Sequence, residues 1–420
     1  MRTVGSTGFF NAIHKTGLSL IDDVIPSRLS LNARYFLLGG LMNGVSNGVF
    51  NAVMMLYVAA FGFDAQGLGL IFMMNPLSST VLMIPAGVLA DRVGKRPMIV
   101  IGTVSALLGM VVFLVAGSAE MFALSFLLIG VCNAAATVFT PLYSSFFEGH
   151  DMDRAFGLYG LLNIAAMSLG SLGGFIPPHL AGTMGLSLME AYKVTMMAAA
   201  ALFILQSACI YVSALGIREN LSKEFSFTLK SRWVVLKICG IGLLANIAGG
   251  LLFSLFPYYV NRKFGVESAA LGTLFFVSNL AMAVSKGIAA GIARRVGGLR
   301  SITLGVALSA VFMMLMPVTS SFALMTALFI LRSGTRFMSD PLLTSVFMRS
   351  ISEDEKSTAN SIRMISMNGG GVVAPVLGGA MMEQMGLDSP AYIGGALTLF
   401  SAALYSLLLR DESRLLEKKS

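Results

Sequence analysis

Charge is scarce in this 420-residue chain: 12% of its residues are Asp, Glu, Lys or Arg, about half the roughly 25% of a typical soluble domain. Cysteine is rarer still. Cys132, Cys209 and Cys239 each sit inside an apolar run, with none of the spacings of a disulfide framework or a zinc site. His14, His150 and His179 are scattered, so no histidine metal centre is expected, and no cofactor either. The period-two alternation of barrel strands is missing, which excludes a β-barrel. What the chain has in excess is apolar sequence. Hydrophobic residues make up 56%, the mean hydropathy is +0.80, and uninterrupted apolar stretches of 18 or more recur along it. A soluble enzyme, a secreted disulfide scaffold and a disordered protein are excluded. The 28 methionines read as leucine substitutes in packed or lipid-facing positions rather than as a soft-metal path. The expectation is an all-α polytopic membrane protein.

Twelve apolar spans can be marked, at 35–60, 67–89, 98–117, 121–146, 155–177, 191–215, 234–258, 268–291, 301–318, 322–347, 359–382 and 391–409. Each is long enough, at about 1.5 Å per residue, to cross a ~30 Å hydrocarbon core. Residues 1–33 carry charges and Pro26 where a cleavable leader would need an unbroken apolar core. Phe9, Phe10, Ile13, Leu20, Ile21 and Val24 instead suggest a short interfacial helix in a cytoplasmic N-terminal segment. Orientation follows from the basic residues. With the N-terminus inside, cytoplasmic segments hold 21 of the 29 Lys and Arg, and the opposite loops hold only Arg262 and Lys263. That bias puts both termini in the cytoplasm. It also accounts for the net charge of +8 without a nucleic-acid partner.

The chain repeats itself. Tyr57-Val58 followed by Phe61-Gly62 recurs as Tyr259-Val260 followed by Phe264-Gly265, and Met184-Gly185-Leu186 recurs as Met385-Gly386-Leu387. Leu68, Gly69 and Phe72 match Leu271, Gly272 and Phe275, and Pro141 matches Pro341. All these pairs lie 200–203 residues apart. The expected organisation is a six-helix bundle over 34–215, a cytoplasmic linker over 216–233, a second six-helix bundle over 234–409 and a tail over 410–420. A six-plus-six repeat is a layout of carriers that rock two halves about a midplane site.

Between the second and third spans lies Gly87-Val88-Leu89-Ala90-Asp91-Arg92-Val93-Gly94-Lys95-Arg96-Pro97. Its glycines permit close approach and a tight turn, while Asp91, Arg92, Lys95 and Arg96 crowd one short loop. This segment resembles the cytoplasmic loop signature G-x-L-A-D-R-x-G-R-K of the major facilitator superfamily, and the span count extends the likeness over essentially the whole chain. The resemblance implies two pseudo-symmetric six-helix bundles, a monomer in the cytoplasmic membrane, and a central cavity lined by the first, fourth, seventh and tenth helices. It also implies a gating role for Gly87, Asp91, Arg92, Gly94, Lys95 and Arg96. The second half keeps a degraded copy, Ala290-Gly291-Ile292-Ala293-Arg294-Arg295-Val296-Gly297, in which Arg294 replaces the acid. The antiporter pattern G-x-x-x-G-P-x-x-G-G is incomplete in the fifth span (Gly170, Gly173, Gly174, Pro177). It is closer in the eleventh, with Gly370, Ala374, Pro375, Gly378 and Gly379. The fourth span has Cys132-Asn133 where drug exporters carry an arginine.

Seven charged residues fall inside the spans. Lys193, Lys237 and Lys286 lie near helix ends and can snorkel. Arg332, Arg336 and Asp340 follow i, i+4, i+8 in the tenth span, and Arg363 lies one turn into the eleventh. Each buried cation costs about 2.5–3.5 kcal/mol on insertion scales, so such groups face a cavity or a partner. Two readings stand side by side: a substrate and coupling stripe, or Asp340 pairing with Arg336 or Arg363 as a staple between the tenth and eleventh helices. Asn43, Asn47 and Asn51 form a second polar stripe on the first span, beside Gly40, Gly44 and Gly48. The asparagines face the cavity or bond a neighbouring helix; the glycines serve packing. Glu148 and Arg154, with Glu353 to Lys356 in the matching place, read as a cytoplasmic salt-bridge gate or as a solvated charge cluster.

Three function classes compete. A membrane enzyme needs a nucleophile and base, or metal ligands, near the surface, and no HExxH, DxxD or P-loop pattern occurs. A non-transporting sensor or scaffold on the same fold is a second class. The favoured expectation is a secondary active transporter of a small organic solute, anionic or neutral and amphipathic, most simply by proton-coupled efflux, with proton-coupled uptake or facilitated diffusion of an organic anion as the alternative. Asp340, the only acid within a span, is the candidate proton carrier.

Overall fold

The computed structural model describes residues 26, 29–147, 150–216, 231–351 and 356–409, with the backbone alone at Asp91, His150, Asp153, Ala290 and 356–358. The expected interfacial helix near the N-terminus, Glu148, Glu353 to Glu355, most of the linker and the tail lie outside the described residues.

Among the described residues, eight helices form the first half: α1 (Leu31–Ala59), α2 (Ala65–Val93), α3 (Lys95–Val115), α4 (Ala119–Ala135), α5 (Phe139–Ser144), α6 (His150–Ser171), α7 (Ile176–Met184) and α8 (Leu188–Ser213). Seven form the second: α9 (Arg232–Phe253), α10 (Phe256–Phe264), α11 (Ser268–Val296), α12 (Gly298–Leu315), α13 (Phe322–Arg349), α14 (Lys356–Gln384) and α15 (Ser389–Leu408). No strand occurs among the described residues. These fifteen described helices make twelve spans because three spans are interrupted. A short 3₁₀ turn, Ala136–Val138, parts α4 from α5, another, Leu172–Phe175, parts α6 from α7, and α9 gives way to α10 at Ser254. Proline sets two of these restarts: Pro177 opens α7 and Pro257 opens α10, where a missing N–H costs nothing.

Ten spans are long and apolar enough to cross a bilayer on length and composition alone. The two that fall short, α1 at 29 residues and α13 at 28, are long enough but polar. They are the helices that carry the asparagine and arginine stripes. Asn51 and Arg332 of these stripes line the cavity described below, where polar groups are tolerated.

The repeat is written into the turns. Glycines with left-handed φ pair up as Gly62 with Gly265, Gly94 with Gly297 and Gly185 with Gly386. Gly94 alone joins α2 to α3, at φ +92° and ψ +167°, a region essentially closed to other residues. Gly297 does the same between α11 and α12. Tyr57 and Tyr259 are both fully buried, as are Leu68 and Leu271.

Small residues set how the helices meet. In the first half α1 lies on α6 and α8; in the second α9 lies on α14 and α15. A side chain at Gly44 or Gly48 would run into the backbone of Asn163 or Met167 on α6, which confirms packing as the work of that stripe. The halves then join crosswise, α2 against α14 and α6 against α11. The glycine-rich stretches of the fifth and eleventh spans serve these contacts. Gly370 and Gly378 abut Asn246 and Leu251 of α9 on one side, while Gly379 abuts Ala65 of α2 on the other. Gly170 abuts Val45 of α1, and Gly174 abuts Ser268 of α11.

Candidate functional site

A cavity of about 390 Å³ lies where the halves meet. Its walls come from α1 (Phe50, Asn51, Met54), α2 (Phe72), α6 (Met167), the α9–α10 break (Phe253, Ser254, Phe256), α11 (Phe275, Asn279) and α13 (Phe329, Arg332, Phe337). Irregular backbone at membrane depth belongs where it lines a cavity, and the break at Ser254 sits in this wall. The rings form a connected box, with Phe256 stacked on Phe329 at 4.3 Å and Phe253 5.2 Å from Phe256.

Arg332 is the cation of this cavity. Its guanidinium carbon stands 3.6 Å above the centre of the Phe253 ring, so one face is covered by an aromatic surface. Its Nε has no hydrogen-bond partner. One turn before Phe253, a Cβ at Gly249 would come within 3.1 Å of the Arg332 Nη2, so glycine there leaves room for the guanidinium. Neither Phe253 nor Gly249 stands out in the sequence, because both belong to a uniformly apolar helix. The only signal for them is spacing: they are one turn apart on the span expected to line the cavity.

The rest of the stripe behaves differently. Arg336 Nη1 pairs with Asp340 Oδ1 at 2.5 Å along the same helix, with side-chain exposures of 13% and 29%. Neither residue lines the cavity beside Arg332. Of the two pairings expected for Asp340, the one with Arg336 is present and lies within α13, and a separate side-chain bond joins α14 to α13. That bond is made by Arg363, whose Nη2 donates to Thr344 Oγ1 at 2.8 Å while its guanidinium stands 5.7 Å from the Phe347 ring. Thr344 in turn donates to the Asp340 backbone carbonyl at 2.8 Å.

Of the asparagines on α1, Asn51 lines the cavity. Asn47 donates to both the backbone oxygen and Oδ1 of Asn43, at 2.9 and 2.7 Å, and makes the pair within one helix. Asn133 of α4 donates to Asn75 of α2 at 2.9 Å, and Asn246 returns to its own helix at Gly242. Asn279 lines the cavity and reaches Ser171 at 3.4 Å.

The Gly87–Arg96 loop is a docking point within the first half. Lys95 Nζ donates to the Pro141 carbonyl at 3.2 Å and Arg96 Nε to the Ala214 carbonyl at 2.9 Å. Both acceptors lie at the ends of helices, where unsatisfied carbonyls favour a cation. Arg92 is exposed and Gly87 has open space around it. Arg154 stands on the first turns of α6 and its partner-to-be Glu148 is not described.

At the opposite end the halves are bolted together. Glu383, in the last turn of α14, accepts from the backbone N–H of Ala65, the first residue of α2, at 2.8 Å. Ser268 donates to the Gly174 carbonyl and Ser168 to the Phe276 carbonyl, each at 2.8 Å. Nearby, Asp388 takes both the Lys263 ammonium and the Tyr259 hydroxyl at 2.7 Å.

Two repeated helical halves joined crosswise around a central cavity are a layout found in membrane transporters. The chain matches the Major Facilitator Superfamily over residues 36–225 and 238–420 and belongs to that superfamily. Among solved structures, it is similar to a bacterial homologue of the human lysosomal transporter Spinster in an inward-facing, occupied conformation. That likeness has a TM-score of 0.65 at 12% identity, over 92% of this chain and 96% of the other. It is similar to the nucleoside transporter NupG at TM-score 0.66 and 13% identity, over 93% and 100%. The human organic anion transporter MFSD10 aligns at TM-score 0.60 and 14% identity, over 90% and 100%. At these identities the likeness concerns the fold. No curated protein matches the chain by sequence.

Proposed function

We propose that this chain is a secondary active transporter of a small organic solute, anionic or neutral and amphipathic, moved outward across the cytoplasmic membrane by alternating access and coupled to protons. The observation that carries the reading is Arg332, a guanidinium on the cavity wall whose Nε is unpartnered. A cation held there without a neighbouring carboxylate is suited to an anionic or hydrogen-bond-accepting solute. The likeness of fold to a transporter of organic anions agrees with it. Asn51 and Asn279 supply neutral hydrogen-bonding groups on the facing walls. Asp340 is the proton carrier in this reading: it is paired with Arg336, and a solute that draws Arg336 toward the cavity breaks that pair and opens the carboxylate to a proton. Asp91, Arg92, Lys95 and Arg96, with Glu148 and Arg154, form the gate on the cytoplasmic side, and both termini lie on that side with most of the basic residues.

The test is transport in proteoliposomes, using a panel of organic anions, neutral amphiphiles and cations under an imposed pH gradient. Net movement of anions against their gradient, driven by protons and weakened in Arg332→Ala, is the expected result. Equal transport by wild type, Arg332→Ala and Arg336→Ala would overturn it.

A further inference from the structure

We infer that the cavity takes an aryl monocarboxylate, a planar apolar ring system bearing one negative charge, and that Phe253 and Gly249 position Arg332 to read that charge. The inference rests on the reading of the cavity as the solute path and specifies what passes through it. Among the described residues, Arg332 is the single cation on the cavity wall, and no acid lines it. The next cation along α13, Arg336, is committed to Asp340. A second carboxylate on the solute would therefore meet no second cation, only the neutral amides of Asn51 and Asn279 among phenylalanine and methionine, and a buried charge without a counter-charge is disfavoured. A cation would meet Arg332 itself and be repelled.

The shape of the anchor argues for a planar anion. Phe253 covers one face of the guanidinium at 3.6 Å, so approach along its edge remains, the geometry in which guanidinium binds a carboxylate through two parallel hydrogen bonds. Gly249 keeps the Nη2 side clear, since a methyl there would sit at 3.1 Å. The solute's body meets seven phenylalanines and four methionines. Stacked and tilted rings accept a further flat ring in offset contact, and methionine adapts to its outline. A volume of about 390 Å³ is at the lower end of the roughly 300–1,000 Å³ that encloses drug-sized ligands, which suits one or two fused rings.

The experiment uses the full chain purified in nanodiscs and three probes that share a ring system: 2-naphthoate, its methyl ester and naphthalene-2,6-dicarboxylate. Calorimetry is expected to show 2-naphthoate binding about tenfold or more tighter than either of the others, the ratio that ~1.4 kcal/mol represents. Gly249→Ala and Phe253→Leu are expected to weaken 2-naphthoate by about tenfold and the ester by several-fold less, with the melting temperature near wild type. Two positioning variants are used so that misfolding of one leaves the other to decide. Arg332→Lys keeps the charge but loses the planar fork, and is expected to narrow the difference between 2-naphthoate and the dicarboxylate. Equal or tighter binding of the dicarboxylate, equal binding of the ester, or absence of 2-naphthoate binding would overturn the inference. Transport of other anions that still depends on Arg332 would, in that event, leave the broader transporter reading intact. Loss of both would remove the two together.

Discussion

Arg332, Arg336 and Asp340 share one helix, yet each meets a different environment, and the mutants should separate accordingly. Arg332→Ala removes a cation that has no protein partner at Nε. Its expected effect is on the solute: the apparent constant rises about ten- to hundredfold, the equivalent of a charged hydrogen bond worth ~1.5–3 kcal/mol, and the melting temperature stays near wild type. Asp340→Asn acts on the coupling. It leaves Arg336, whose side chain is only 13% exposed, without its counter-charge, so some loss of melting temperature is expected. Accumulation driven by a pH gradient should vanish while exchange at equal pH persists, because exchange needs no net proton movement. Driven uptake, exchange and melting, measured on both mutants, check these assignments. Driven accumulation that survives Asp340→Asn would return that pair to a purely structural role.

At the scale of elements, glycine decides how closely helices pack and how sharply they turn. A Cβ at Gly378 of α14 would collide with the Leu251 carbonyl of α9, and one at Gly48 of α1 with the Met167 carbonyl of α6. Gly48→Val or Gly378→Val should cost about 1–3 kcal/mol as overpacking, visible as a lower melting temperature in detergent. The Gly94 turn is sensitive for a different reason: its φ of +92° is not open to a side chain. Gly94→Ala should cost about 1–3 kcal/mol through backbone strain and tilt the loop that carries Lys95 and Arg96. Asp91→Asn, by contrast, removes one charge from the last turn of α2 and keeps the side chain's size. It should leave melting unchanged and slow transport, and a wild-type rate would withdraw the gate role from that residue.

For the whole molecule the prediction concerns which end moves. Glu383 capping the N-terminus of α2, and the serine bonds between α6 and α11, close one end of the interface. Alternating access requires that they part. Gln66 and Glu383 are both exposed beside this seam. Joining Gln66→Cys to Glu383→Cys with a short reducible thiol crosslinker should stop transport, and reductant should restore it. Undiminished turnover with the link in place would show that this end need not open. Sidedness can be tested separately: Asp64→Cys should react with an impermeant thiol reagent only from outside the cell.

Much of this protein was legible in its sequence because the relevant signals are local. Apolar length marks spans, and the roughly 200-residue offsets expose two halves whose paired turn glycines the structure reproduces. The polar stripes of α1 and α13 were visible too, as departures from that apolar background. What the sequence could not decide was which partner each polar group meets. Residues four apart on an α-helix are offset by about 40°, so Arg332 and Asp340 differ by about 80° in direction. That is enough to put one on the cavity wall and turn the other along the helix toward Arg336. Phe253 and Gly249 were invisible for a related reason. Nothing distinguishes one apolar residue in α9 from another until the rotation of α9 against α13 brings one ring under a guanidinium. That rotation is set by glycines and alanines pressing α9 onto α14, contacts between residues more than a hundred positions apart, and only the packed structure holds them.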